Sequence, residues 1–298
     1  MLWLLVCVLI APSALWAADS AIEIVRKAQL ADKYVSYSGS KAVRVMVNGK
    51  STVSTVKIVH QRPDLTRKEF FSPSFCNGAI LLDRGANKWK YDPQSKCWEQ
   101  VNWMRSSDVP CLSDNHILKL TGSEKVAGRD AYVITATPKT GGNALYKVWV
   151  DKKSYLMLKS SSQNSTGAIT STSAFTSLTI RPTSFSASIF AVPAKAHKSD
   201  CPSCVNFTVR RPTYLPNGYQ MIGQTRGIVE GRCYAHLQYS NGMSVISLFE
   251  RKSDRAATPP GTPHKASSVM TWVRDGVMYT LIADISKTEQ RKIASSIK

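Results

Sequence analysis

The sequence predicts a mainly β protein of the α+β class, with antiparallel strands and a few covering helices. Runs rich in β-branched and aromatic residues recur through the 298 residues, separated by short polar turns. Several of these turns are hairpin signals, such as Asn241-Gly242 and Asp275-Gly276. Ser20–Glu23 and Ser286–Glu289 have the spacing of a capping box, which marks a helix start.

The clearest hairpin spans residues 144–162, with its reversal at Asp151–Ser154. Alternation places Tyr146 and Val148 on one face of its first strand and Trp149 on the other, so neither face is polar. A sheet with two apolar faces must be covered on both. A helix or a second domain is the ordinary cover, and a cavity for acyl chains is the alternative.

Length and charge narrow the function classes. A chain of 298 residues is long enough for two domains. Lys and Arg number 39 against 20 Asp and Glu, which gives a formal net charge of +19. Such a field attracts anions: anionic lipid headgroups, lipopolysaccharide, acidic proteins or nucleic acid.

Residues 1–18 predict a cleaved signal peptide, because an apolar run ends in the small residues Ala17 and Ala18. A membrane anchor is the alternative, although Pro12 and Ser13 interrupt the run and about 20 apolar residues are needed to span. Export disfavours nucleic acid as the partner.

The cysteines agree with export. Cys7 leaves with the signal, and the remaining even number predicts disulfides. The candidates are Cys76, Cys97, Cys111, Cys201, Cys204 and Cys233. The pair Cys201 and Cys204 forms a C-x-x-C motif, which can also be a redox pair, or a zinc site together with Cys233 and His197 or His236.

The order of elements divides the chain into two parts. A helix at Ser20 is followed by strands, a short helix over 113–120, more strands and the hairpin of 144–162. A second group of hairpins ends in a helix that begins at Ser286 and buries Ile293 and Ile297. The predicted organisation is a signal peptide over 1–18, a first domain over 19–193, a linker over 194–206 and a second domain over 207–298.

Residues 20–193 resemble the LolA-type lipoprotein carriers. The resemblance rests on AYVITATPK, YKVWVDKKSYLMLKSSS and SIFAVP, in this order along the chain. It implies a half-open antiparallel β-barrel closed by helices, with an apolar cavity for acyl chains. The carriers have a single domain, whereas this chain continues for about another hundred residues beyond the barrel, within the usual size of a domain.

The second domain resembles that of the RseB/MucB family through YLPNGY and QYSNGMSVISLFE. Proteins of this family have a LolA-like first domain and lie in the periplasm. The resemblance implies a regulator that binds the periplasmic part of a membrane anti-sigma factor. It also implies a ligand that releases this partner, such as an acyl lipid, lipopolysaccharide or a mislocalised lipoprotein.

Catalytic signatures are sparse in the sequence. The five histidines lack the His-Glu-x-x-His spacing of a zinc hydrolase, and neither a Gly-x-Ser-x-Gly elbow nor a phosphate-binding loop occurs. We therefore predict a binding protein without catalytic residues, metal or cofactor. A thiol oxidoreductase acting through Cys201 and Cys204 is the weakest alternative.

Three groups of residues are candidates for function. The tryptophans of the barrel strands are candidates for lining the cavity, or are ordinary core residues: Trp89, Trp98, Trp103 and Trp149. Basic residues are candidates for a rim around it, or lie on solvated strand faces: Arg44, Arg62, Arg67, Lys68 and Arg105. Three residues of the second hairpin region are candidates for a partner surface, or pack the hairpin: Tyr239, Met243 and Phe249.

Two function classes follow from these observations. The first is the periplasmic regulator, alone or as a homo-oligomer, that binds an anti-sigma factor and senses a lipid. The second is a lipid or lipoprotein carrier with an appended domain, which would move an acylated cargo between membranes.

Overall fold

The computed structural model describes the greater part of the chain, in ten segments. They are residues 19–47, 50–72, 77–104, 112–139, 145–164, 166–181, 185–192, 207–229, 231–260 and 269–298. The predicted signal peptide, the predicted linker with its C-x-x-C motif, and Arg105, Cys76 and Cys111 lie outside these segments.

The first helix, α1 (Ala21–Leu30), begins at the predicted capping box. Ser20 Oγ accepts from the Glu23 backbone N–H at 3.3 Å, and Glu23 Oε2 accepts from the Ser20 N–H at 2.9 Å. Ile24 and Val25 are the buried residues of the helix, whereas Ile22 is exposed. A short 3₁₀ segment, Ala31–Lys33, follows directly.

The first part of the chain is a run of antiparallel strands, interrupted by the four-residue helix α2 (Leu112–Asn115). The strands are β1 (Tyr37–Val47), β2 (Lys50–Gln61), β3 (Leu65–Phe70), β4 (Ile80–Arg84), β5 (Asn87–Asp92), β6 (Cys97–Trp103), β7 (His116–Val126), β8 (Arg129–Pro138), β9 (Leu145–Asp151), β10 (Met157–Gln163) and β11 (Ile169–Ile180). They form a sheet in the order β6-β5-β4-β3-β2-β1-β11-β10-β9-β8-β7, and its ends do not pair with each other. The predicted half-open antiparallel architecture is confirmed.

The predicted helix over 113–120 is wrong, because the chain leaves helix α2 at Asn115 and continues as the long strand β7. His116 is buried and Ile117 is 62% exposed, which is the alternation of a strand. Apolar residues at 117, 118 and 120 fit either period over so short a window. Pairing with β8, from His116 opposite Pro138 to Val126 opposite Arg129, decides the outcome.

The hairpin of β9 and β10 is apolar on both faces, as predicted, and both faces are covered. Tyr146, Val148 and Val150 pack against Ile24 and Val25 of helix α1. On the other face, Trp149 belongs to a core shared with strands β1, β2 and β11. Helix and curled sheet therefore enclose this hairpin between them.

The second part of the chain adds five antiparallel strands and one helix. They are β12 (Gln220–Val229), β13 (Arg232–Ser240), β14 (Val245–Lys252), β15 (Val269–Arg274), β16 (Val277–Ile282) and α3 (Lys287–Ser296). Asp275 and Gly276 form the predicted two-residue turn between β15 and β16, both with positive φ. The loop between β13 and β14 has four residues, since Ser240 pairs with Val245. Ile293 and Ile297 are buried, as predicted.

A hydrogen-bonded junction joins the two parts into one sheet across the described residues. Strand β12 pairs with β6, with Gly223 opposite Trp103, and Met104 N–H donates to the Ile222 carbonyl at 2.6 Å. The absent side chain at Gly223 permits this approach, because a Cβ there would lie 3.0 Å from the Trp103 Cβ. The boundary between domains at 194–206 stays a prediction.

The loop between β13 and β14 forms a second contact between the parts. Asn115 Nδ2 donates to the Asn241 carbonyl at 3.2 Å. The Asn241 side chain accepts from the N–H groups of Met243 and Ser244, which holds the loop in shape. A Cβ at Gly218 would lie only 2.4 Å from Asn115 Oδ1.

We expect Gly218→Ala to destabilise the protein more than its matched control, Gly231→Ala. Both glycines have positive φ, but a Cβ at Gly231 meets nothing within 4 Å. Each substitution costs about 1 kcal/mol or more in backbone strain. Gly218→Ala also displaces Asn115 from Asn241, which costs about 1 kcal/mol more. Urea unfolding of both variants measures the difference, and equal losses would contradict the contact.

Candidate functional site

A cavity of about 350 Å³ lies between the end of helix α1 and the sheet. We call the face of strands β1 to β4 that turns toward it the inner face. Strand pairing places Tyr37, Ile58 and Leu81 on this face, and all three line the cavity. Met104 and Gly242, from the region where the two parts meet, complete the wall.

A polar cluster fastens the end of helix α1 to the inner face. His60 bonds the Asp32 carbonyl oxygen through Nε2 at 2.7 Å and Thr66 Oγ1 through Nδ1 at 2.8 Å. The Tyr37 hydroxyl donates to Asp32 Oδ1 at 3.2 Å. Burial, together with the Asp32 carboxylate, raises the pKa of Tyr37 well above its usual value. The Tyr37 hydroxyl therefore stays protonated, and the cluster fixes one wall of the cavity.

Two lysines lie on the inner face among apolar side chains. Lys41 Nζ sits 4.3 Å from the centre of the Phe175 ring, and Lys68 lies on β3 between Ile58 and Leu81 in the strand pairing. Burial, reinforced by the charge of Lys68, lowers the pKa of Lys41 to about 8. The cavity wall thus combines apolar side chains with lysines, and three aspartates line it as well.

Of the four predicted cavity tryptophans, only Trp103 lines the cavity. Trp149 is buried in the core, where its Nε1–H donates to Glu124 Oε2 at 2.7 Å and Lys159 Nζ lies 4.0 Å from its ring centre. Trp89 and Trp98 are half-buried on β5 and β6 and are not among the residues that line the cavity in the described part of the chain.

The predicted basic rim is not brought together by the fold. Arg44 is exposed and donates to Ser51 Oγ, while Arg62 donates to the Tyr34 carbonyl. Arg67 pairs with Glu69 at 2.5 Å on the face opposite the cavity, beside the 3₁₀ segment Ala187–Phe190. Lys68 is the one described member that faces the cavity, and Arg105 lies outside the described residues.

Lys41 was missed by the sequence prediction, although a usable signal existed. It lies two residues from Gly39 and four from Tyr37 on one strand, so alternation places all three on the same face. An isolated lysine in a strand usually marks the solvated face. The burial of the whole face by β11 and helix α1 depends on contacts distant in sequence.

Two of the six candidate cysteines fall within the described residues. Cys97 is disulfide-bonded, and Ser95 Oγ lies 3.1 Å from its sulfur. Cys233 has a free, half-buried thiol on β13. Cys76, Cys111, Cys201 and Cys204 lie outside the described residues.

The predicted partner surface does not form as one patch. Tyr239 is only 3% exposed and belongs to the core of the second part, so it is not available to a partner. Met243 packs against the first part's core beside helix α1. Phe249 is half-buried and lies on the sheet face opposite to Leu248, which packs in the core with helix α3.

Phe249 belongs instead to an aromatic cluster across β13 and β14, which we call the outer aromatic face. The His236 ring stacks on Phe249 with 4.0 Å between ring centres, and the Tyr234 ring centre lies 5.9 Å away. Lys90 Nζ sits 5.7 Å from the Tyr234 ring centre. Burial and the nearby Lys90 charge lower the pKa of His236 to about 4, so its imidazole is neutral.

A buried carboxylate lies on the opposite face of the same sheet. Glu250 is completely buried and accepts from the Arg210 backbone N–H at 3.0 Å through Oε2. Its Oε1 and the Tyr239 and Tyr279 hydroxyls have no hydrogen-bond partner among the described residues. Burial raises the pKa of Glu250 to about 7.

Similarity to known proteins extends over both parts. A family model described as the MucB/RseB N-terminal domain matches residues 98–202. The Sigma-E factor regulatory protein RseB of Haemophilus influenzae is 25% identical over 193 residues, covering 62% of this chain and 60% of that protein. The match thus spans less than two thirds of the relative's length.

Solved structures match the fold over nearly the whole chain. A crystal structure of MucB matches with a TM-score of 0.60 and 18% identity, covering 93% of this chain and 97% of the other. The complex structure of Pseudomonas aeruginosa MucA/MucB matches with a TM-score of 0.56 and 18% identity, covering 93% and 98%.

The fold and the cavity define a class of protein: a two-part, open antiparallel β protein with a cavity beside its first helix. Within the described residues, no helix combines the length and the apolar character needed to cross a membrane. The matches above then relate the chain to particular proteins. Residues 98–202 match the model of the MucB/RseB N-terminal domain, and the fold over both parts is that of MucB.

We expect the free energy of unfolding to depend on Glu250 between about pH 4.5 and pH 7. A glutamate binds its proton more tightly in the folded state here, so stability is lost as pH rises through this window. The loss amounts to roughly 2–3 kcal/mol. The glutamine of Glu250→Gln stays neutral and does not lose this free energy. Urea unfolding should therefore show the stability of the variant rising relative to wild type as the pH goes from 4.5 to 7. The lowered pKa of His236 makes both proteins lose stability as the pH falls below the usual pKa of histidine, so it cancels in the comparison. Parallel stability profiles of wild type and variant against pH would contradict the prediction.

We expect a cavity ligand to change the fluorescence of Trp103 and leave that of Trp98 unaffected. Trp103 lines the cavity and Trp98 does not. Titration with laurate should therefore give an emission change that Trp103→Phe removes and the matched control Trp98→Phe retains. A change that persists in Trp103→Phe would place the ligand elsewhere.

Proposed function

We propose that this protein is a periplasmic negative regulator of an envelope-stress sigma factor, which binds the periplasmic part of a membrane anti-sigma factor. The observation that carries the proposal is the extent of the MucB fold, which covers 93% of this chain and so includes both parts. A protein of this fold occurs in complex with MucA(peri). The curated relative is named a Sigma-E factor regulatory protein.

The partner surface that we propose is the outer aromatic face. Aromatic residues are enriched where proteins bind each other, because they offer large contact area with little flexibility. Tyr234, His236 and Phe249 supply such area, and Lys90 adds a cation. Arg251 adds a second, since its guanidinium contacts the Met278 sulfur at 3.1–3.3 Å and none of the described carboxylates. The partner segment therefore carries apolar and acidic side chains.

The cavity supplies the second function within this proposal, which is the sensing of an acyl lipid or of lipopolysaccharide. Its volume of about 350 Å³ lies at the lower end of small-ligand pockets, which hold about 300–1,000 Å³. Tyr37, Ile58 and Phe175 give it an apolar wall suited to a hydrocarbon chain. An occupant acts as a signal if it binds the partner-free protein more tightly.

A lipid or lipoprotein carrier is the second candidate function, because the same cavity also suits transport. The regulator and the carrier predict different proteins bound to the chain in its own cell envelope. Crosslinked co-purification, followed by mass spectrometry of proteins and lipids, separates them. A single-span membrane protein with a cytoplasmic sigma-binding domain supports the regulator. Acylated lipoproteins in its absence would establish the carrier.

We expect Phe249→Ala to weaken binding of the anti-sigma periplasmic domain by about tenfold or more, as buried aromatic anchors of interfaces do. The matched control is Ile169→Ala, which removes a large exposed side chain of the first part and should leave affinity unchanged. Calorimetric titration measures both, with thermal unfolding as a check that each variant folds. Equal affinities for the two variants would remove the outer aromatic face from the proposal.

A further inference from the structure

Lys41 and Lys68 approach the same cavity from two strands of one sheet. Strand β2 lies between them, with Ile58 paired to Gly39 on one side and to Lys68 on the other. Lys41 is two residues from Gly39 and therefore points to the same inner face. Both lysines line the cavity, and the charge of Lys68 helps to lower the pKa of Lys41.

Neither ammonium group has a carboxylate partner within 4 Å among the described residues, where five ion pairs form elsewhere. Three aspartates do line the cavity, and the one whose charge acts on Lys41 is Asp32. Asp32 already accepts from the Tyr37 hydroxyl and offsets the charge of Lys41 only in part. Asp83 accepts from the Gly85 N–H at the turn after β4. Asp64 lies at the start of the same region, between β2 and β3.

The surroundings of Lys41 solvate its positive charge poorly. Its ammonium group lies over the Phe175 ring at 4.3 Å, and burial is the largest cause of the lowered pKa of this residue. A buried charge without a counter-ion is costly, and a second like charge nearby adds to the cost. An anion placed between the two ammonium groups would remove both penalties, and it would gain charge-assisted hydrogen bonds from both.

We propose that Lys41 and Lys68 form an internal oxyanion subsite, which binds the carboxylate or phosphate group of an amphiphile whose hydrocarbon chain occupies the same cavity. The inference rests on the lipid-sensing part of the proposed function and specifies its chemistry. The charged group binds inside the cavity, whereas Arg44, Arg62 and Arg67, which the sequence indicated as a rim, point elsewhere. Neutral amphiphiles of equal length bind more weakly.

The test compares three probes that share one hydrocarbon chain: laurate, lauryl phosphate and lauryl alcohol. Binding to residues 19–298 is measured by calorimetry in buffer without detergent. We expect the affinity for each anion to be at least tenfold higher than the affinity for the alcohol. This difference corresponds to one charge-assisted hydrogen bond or more. Comparison of the affinities for laurate and lauryl phosphate shows whether the subsite prefers a carboxylate or a phosphate.

The variants are Lys41→Met and Lys68→Met, with Lys57→Met as the matched control. Lys57 lies on β2 with its side chain on the face opposite the cavity. Each inner-face variant is expected to lower the affinity for both anions about tenfold and to leave the affinity for lauryl alcohol unchanged. Lys57→Met is expected to bind all three probes as wild type does.

Thermal unfolding keeps the result interpretable. Replacing Lys41 with methionine keeps the volume and removes the burial penalty, whereas Lys68 is exposed and carries little of it. The ligand-free Lys41→Met variant should therefore melt at or above the wild-type temperature, and Lys68→Met close to it. Wild-type affinity of the double variant for laurate and lauryl phosphate would overturn the subsite, as would equal affinity of wild type for all three probes. Failure of all three probes to bind would also overturn it. Capture of an anti-sigma factor by the same protein would leave the regulatory proposal standing.

Discussion

Strands β8 and β9 are buried on both faces, and this constraint organises the first part of the molecule. Ile134, Tyr146 and Val148 need cover on one side, which helix α1 provides. Val133 and Trp149 need it on the other, and the sheet provides it by curling until β1, β2 and β11 lie across them. The cavity lies where the end of the helix meets the curled sheet, because a helix and a concave sheet do not fill the space between them.

The second part depends on the same sheet. Strand β12 continues the hydrogen bonding of β6, which protects an edge that would otherwise expose unpaired backbone groups. Lys90 Nζ also donates to the Arg226 carbonyl at 2.8 Å, and Thr170 Oγ1 donates to Asp284 Oδ2 at 2.5 Å. Backbone pairing, an ammonium group and a hydroxyl thus fasten the parts at separate places. Such a junction resists rotation about any single contact.

Local chemistry in the sequence predicted much of the fold. The capping box at Ser20 and the turn at Asp275-Gly276 are decided by neighbouring residues, and the structure forms both as expected. At Ser286 only half of the predicted box forms, since the Glu289 carboxylate turns to the Tyr214 hydroxyl and to Lys292. Tyr214 is far from Glu289 in the chain, so no local rule could anticipate this exchange.

The site was harder to predict than the fold for the same reason. Lys68 and Arg67 are adjacent in sequence and were assigned to one rim, but a strand turns neighbouring side chains to opposite faces. One faces the cavity, and the other pairs with Glu69 outside it. Likewise, Tyr239 is a candidate either for the partner surface or for packing, and helix α3 with strand β16 covers it. Which face of a strand becomes the interior is settled by elements far along the chain.

The cavity wall includes Met104 at the end of the first part's outermost strand and Gly242 in the loop of the second. An occupant therefore touches both parts at once, while the outer aromatic face lies on strands that continue from this junction. Under the proposed function, ligand and partner bind a single hydrogen-bonded framework, so any free energy by which one favours or opposes binding of the other acts equally on both. A lipid that weakens binding of the partner tenfold has its own binding weakened tenfold by the partner. In such a system the abundance of the partner sets the lipid concentration at which the protein responds.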